Sequence, residues 1–110
     1  MASERFWITG VVREQESGRA LPDLVERAYD KDLVFDDVLG FATTDADGGF
    51  RIAFSSDEFQ DWFEKRPDLY LRVFDREGTR ELHSTRKQLR KNADREERFE
   101  LEVPAARLQP

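Results

Sequence analysis

The sequence predicts an all-β fold: a seven-strand, two-sheet sandwich with one short α-helix. Three observations carry this expectation. Apolar and polar residues alternate in several short runs, the period of half-buried strands. Glycine- and aspartate-bearing turn signals separate the runs. Only Ser55 to Phe63 shifts to the three-to-four spacing of a helix.

The first strand is read over Arg5 to Arg13, with Phe6, Ile8 and Val12 on one parity and Trp7 and Val11 on the other. Glu14 to Pro22 is polar and turns at Ser17-Gly18. Leu24 to Asp30 is a second strand whose parity stays open: either Val25 and Tyr29 or Leu24 and Ala28 face the core. Asp30 to Asp37 is an acidic connection carrying Leu33, Val34 and Phe35. Val38 to Thr44 reads as the next strand. Asp45-Ala46-Asp47-Gly48-Gly49 then turns the chain into the alternation of Phe50, Ile52 and Phe54, so a hairpin is expected here.

Ser55 and Glu58 have the form of a capping box. Phe59, Trp62 and Phe63 follow on one face of the expected helix, which Arg66-Pro67 ends. Leu69 to Phe74 is apolar on both parities, as a central strand is. Glu77-Gly78 leads to a weaker strand over Thr79 to Thr85. Arg86 to Arg98 reads as a charged connection, Phe99, Leu101 and Val103 as the last strand, and Pro104 as its stop. The whole is expected to be one domain over 1–110, with a core at about 5–104 and a tail over 105–110 that reads either as a frayed end or as the start of a linker.

Composition narrows the function. The 110 residues hold 18 Lys and Arg against 24 Asp and Glu, a net charge of −6. That balance disfavours nucleic acid and anionic membranes as partners. No cysteine is present, which removes disulfides, thiolate metal sites and a cysteine nucleophile. A single histidine, His83, leaves no histidine-based metal centre. A small hydrolase would need His83 as its base; its strand neighbour Ser84 points to the opposite face, and for Thr85 on the same face no orienting acid is specified. No apolar stretch suits a signal peptide or a membrane span, so cytoplasmic synthesis is expected, and the compartment stays open between the cytosol and export as part of an assembly.

Charge is unevenly placed. Asp30, Asp32, Asp36, Asp37, Asp45 and Asp47 lie within 18 residues, with Lys31 the one cation among them. Aspartates of this kind form turns and solvate loops. They are also the ligand type for calcium, which takes six to eight oxygens. If calcium binds, Asp30, Asp32, Asp36 and Asp37 are the expected ligands. Arg86 to Arg98 carries a surplus of three positive charges without interleaved aromatics, a solvated connection rather than a base-stacking surface. Trp7, Phe41 and Trp62 are the candidate anchors for a protein interface.

The run Ile8-Thr9-Gly10-Val11-Val12, then Ser17-Gly18, Leu21-Pro22 and Ala42-Thr43-Thr44-Asp45-Ala46-Asp47-Gly48-Gly49-Phe50, resembles transthyretin-like, or carboxypeptidase-regulatory-like, β-sandwich domains. Arg66-Pro67-Asp68-Leu69-Tyr70-Leu71 is similar to the bacterial branch of that group, and Ala28 to Asp32 with Leu39-Gly40 is similar to accessory modules of bacterial toxin- and secretion-associated proteins. The resemblance implies a transthyretin-like sandwich that is not an enzyme. It would dock to or orient another protein or an adjacent domain, with edge-strand pairing as one mode. The group also contains a purine-pathway hydrolase. That activity is associated with several histidines and a C-terminal Tyr-Arg-Gly-Ser, which this chain lacks. The Asp30-x-Asp32 and Asp36-Asp37 spacing is similar to that of calcium-dependent lipid-binding β-sandwiches, which makes a calcium-binding module the alternative. No other cofactor is expected.

Overall fold

A computed structural model of the protein describes residues 4–56 and 66–109. Seven strands form two sheets. In chain order they are β1 (Arg5–Glu14), β2 (Val25–Asp30), β3 (Asp37–Thr43), β4 (Gly49–Ser55), β5 (Leu69–Phe74), β6 (Glu81–Ser84) and β7 (Glu96–Val103). One sheet has the order β4-β1-β7 and the other β3-β2-β5-β6. Every pairing is antiparallel except β1 with β7, so the first and last strands run side by side in the same direction.

Alternation decides what each sheet turns inward. Phe6, Ile8 and Val12 of β1 meet Phe50, Ile52 and Phe54 of β4 and Phe99, Leu101 and Val103 of β7. Against them pack Ala28 of β2, Leu39 of β3, Leu69, Leu71 and Val73 of β5, and Leu82 of β6. Phe6 and Phe54 stack with ring centroids 5.1 Å apart. Gly10 sits at an inward position of β1, where a Cβ would collide with the Phe50 ring and the Phe99 carbonyl. A side chain there would displace an aromatic from the centre of the core.

The open parity of the second strand resolves to Leu24 and Ala28 inward. Between them, on the same face, stands Glu26, fully buried with Ala42 and Val73 as its register neighbours. Tyr29 is buried as well, but on the outer face, stacked on Tyr70 of β5 at 5.1 Å.

Four expectations are corrected. The chain turns at Asp45–Gly49 as read: Asp45 Oδ1 accepts from the Asp47 and Gly49 amides, and Gly48 takes φ +77°. The strands it joins do not form a hairpin, however. β3 pairs with β2 and β4 with β1, so the turn crosses between sheets. The last strand begins at Glu96 rather than Phe99, because its exposed positions tolerate alternating charge. A 3-10 turn, Arg86–Gln88, interrupts the charged connection. The tail is not frayed over Ala105–Leu108, which forms a helical turn, α1; Leu108 packs on the core and Arg107 donates to the Leu82 carbonyl. The helix read over Ser55 to Phe63 lies, from residue 57 on, outside the described residues.

Candidate functional site

The connection between β2 and β3 is built to hold an apolar tip in solvent. Its base is fixed by side-chain anchors. Asp30 Oδ1 accepts from the Asp68 amide at 2.8 Å, and the Lys31 amide donates to the Asp68 carbonyl at 2.9 Å. Asp36 closes the loop from the other side. Its Oδ1 accepts from the Asp32 amide at 3.0 Å, and its Oδ2 accepts from the Tyr70 hydroxyl and pairs with Arg86 at 3.4 Å. Asp32 Oδ1 accepts from the Leu33 amide. Local Asp-to-backbone bonds of this kind replace ladder bonds and let a short loop keep one shape.

Electrostatics follows from these contacts. Burial pushes the Asp30 carboxyl up to about 6, with the charges of Asp37, Asp68 and Asp32 adding to it against the opposing Asp68 amide. Burial also acts to raise Asp36, but the Tyr70 hydroxyl, the Asp32 amide and Arg86 outweigh it and hold the carboxyl below its usual range. Burial and the bond to Asp36 push the Tyr70 hydroxyl up to about 12. Asp36 is thus ionised at neutral pH and Tyr70 carries its proton, the states their hydrogen bond requires.

The loop carries Leu33, Val34 and Phe35 beyond these anchors. They are 97%, 78% and 79% exposed, and Val38 and Phe41, at outward positions of β3, are 55% and 71% exposed. These five are the large hydrophobic side chains left exposed among the described residues, and all fall within Leu33 to Phe41. β3 is also an edge of its sheet, pairing among the described residues with β2 alone. Edge strands are normally blunted by charge, proline or cover, and contiguous exposed apolar surface marks an interaction site. The outer face behind it continues the surface. Val38 lies beside Tyr29 in register and Phe41 beside Arg27. Arg27 lies over the Phe74 ring at 4.3 Å, and Arg72 over the same ring at 4.9 Å. Tyrosine, phenylalanine and arginine together are the composition of interface centres.

The structure distributes the sequence candidates unevenly. Phe41 belongs to this surface. Trp7 does not: it lies on the outer face of the other sheet, half-buried under Arg51 at 3.9 Å and beside Arg5 at 5.6 Å. Trp62 lies outside the described residues. Of the four calcium candidates, Asp32 and Asp36 share the loop, Asp37 opens β3, and Asp30 turns to Asp68. Among the described residues no group of three or more His, Asp or Glu is placed to hold a metal ion. His83 is half-buried, which depresses its pKa; the Ser84 and Thr85 hydroxyls accept from the Arg86 and Leu71 amides. The exposed tip was not among the sequence candidates. Its signal was there in Leu33-Val34-Phe35, three consecutive apolar residues between aspartates with no strand or helix period to bury them.

No protein-family model matches the chain, and no curated protein does. Among solved structures it is similar to a 9R-lipoxygenase from Cyanothece PCC8801, at 24% identity and a TM-score of 0.70. The likeness covers 92% of this chain and 17% of the lipoxygenase chain. It is a likeness of fold, the two-sheet sandwich.

Proposed function

We propose that this chain is a non-catalytic docking module that holds another protein, or a neighbouring domain, against the β2–β3 loop and β3. The observation that carries the reading is the confinement of the exposed large hydrophobics to Leu33–Phe41 on an anchored loop and an edge strand. Leaving such side chains in water forfeits about 1.5–3 kcal/mol apiece that burial would return, enough for three or four of them to drive association. The Asp36 anchors keep the loop in one shape, so little ordering entropy opposes binding. The same sandwich makes up a small part of the lipoxygenase it resembles, which fits a unit that works beside another body.

The test is site-specific photocrosslinking in producing cells. A photoreactive phenylalanine analogue is placed at Phe35 or Phe41, with Glu100 on the outer face of the other sheet as control. The reading expects one defined adduct from Phe35 and Phe41, lost when Val34 and Val38 are changed to Ser, and none from Glu100. Equal, diffuse labelling from all three positions would contradict it.

A further inference from the structure

We propose that the partner is taken up as an added strand along β3, and that this strand is apolar at its centre and basic at both ends. The inference rests on the docking reading above and adds the mode and chemistry of the partner.

Mode follows from the edge. β3 pairs with β2 on one side, and its other edge has no strand partner among the described residues. A register shift beside Ala28 and Tyr29 leaves Leu39 as a bulge, but Gly40–Thr43 keeps a regular register. An extended segment can bond to those backbone groups while its outward side chains meet Phe41 and Val38. The tip of Leu33, Val34 and Phe35 then lies beyond one end of the added strand.

Chemistry follows from the charge at the two ends of β3. At one end stand Asp32 and Asp37, at the other Asp23, Asp45 and Asp47. None of these five is in an ion pair among the described residues. The cations on the adjoining face are engaged: Arg86 pairs with Asp36, Arg72 with Glu81, and Arg27 donates to the Gly78 carbonyl. Within the loop the sequence supplies one cation, Lys31. A seven-residue strand spans about 23 Å at roughly 3.3 Å per residue. A partner segment of similar length therefore meets negative charge at both ends and apolar surface between, and Lys or Arg at its ends complements this. A second copy would bring aspartates against aspartates in an antiparallel β3–β3 pairing. An anionic lipid surface would be repelled by the acids beside the tip.

The probes are a random linear-peptide phage library selected on the immobilised chain, and vesicles of phosphatidylcholine with and without phosphatidylserine. The expected peptides alternate apolar residues at the centre and carry Lys or Arg at both ends. Their affinity falls roughly ten-fold for Asp37→Asn/Asp47→Asn, falls with added salt, and is lost for Phe41→Ser. Phe41 and Asp47 are exposed and Asp37 is partly buried at the start of β3, and unchanged thermal unfolding confirms the fold of both variants. Peptides lost with Phe41→Ser but indifferent to the aspartate variants and to salt would overturn the charge inference and leave the docking reading standing. Peptides indifferent to Phe41→Ser, or no enrichment, would overturn both. Vesicle binding abolished by Phe35→Ser, or a dimer in sedimentation abolished by Phe41→Ser, would replace the added strand with a lipid surface or a second copy.

Discussion

Glu26 makes the fold sensitive to pH, and Glu26→Gln measures by how much. The side chain is 0% exposed and faces inward from β2, and neither carboxyl oxygen has a hydrogen-bond partner among the described residues. Burial pushes its pKa up from 4.5 to about 9, with only its own backbone amide opposing. The folded protein therefore holds the proton at neutral pH while the unfolded chain has released it. Stability from this group is fully present below about pH 4.5, declines as pH rises, and has been lost by about pH 9. Each pH unit in that window is worth about 1.4 kcal/mol, so the loss at pH 7 is about 3 kcal/mol. Glutamine has nearly the same shape and no proton to release. Urea unfolding of both proteins at pH 5, 6, 7 and 8, followed by tryptophan fluorescence, reads the difference directly. The glutamine variant should gain on the parent by about 1.4 kcal/mol per pH unit, whatever constant offset its buried amide introduces. A difference that stays constant across the series would refute the reasoning, since Glu26 would then titrate alike in both states.

Three further outcomes are expected. Gly10→Ala puts a methyl group into the Phe50 ring and the Phe99 carbonyl and should cost about 2–3 kcal/mol in chemical unfolding; a loss near zero would mean the core shifts freely. Tyr70→Phe removes the hydroxyl that anchors Asp36 and should cost about 1 kcal/mol; amide exchange should accelerate through residues 31–37 while β1 and β7 keep their protection. The loop aspartates already accept from Asp68, Asp32, Leu33, Tyr70 and Arg86, so melting curves in EDTA and in millimolar calcium should superimpose. A calcium-specific rise of about 10 °C, the size expected at roughly a hundred times the dissociation constant, would instead make the loop a metal site.

Where alternation was clean, the sequence was easy to read. Phe50, Ile52 and Phe54 or Phe99, Leu101 and Val103 could face only one way, and the Asp45–Gly49 turn has a backbone chemistry of its own. The second strand was ambiguous for a physical reason: its inward parity is Leu24, Glu26 and Ala28, and a buried, unpaired glutamate contradicts the pattern that assigns faces. The expected hairpin failed because turn chemistry fixes where the chain reverses and not which neighbour each strand chooses. The tail misled because one leucine, Leu108, decides whether it packs. The apolar tip was hidden by its acidic flanks, which read as solvation although Asp36 spends both oxygens holding the loop in place.

The central claim is that Leu33–Phe41 is a contact surface. Amide hydrogen exchange, compared between the isolated chain and the complex captured by crosslinking at Phe41, tests it most directly. The account predicts new protection in the β2–β3 loop and over Gly40–Thr43, with β1, β6 and β7 unchanged. Protection on β7 or around Trp7, with Gly40–Thr43 exchanging as before, would contradict it.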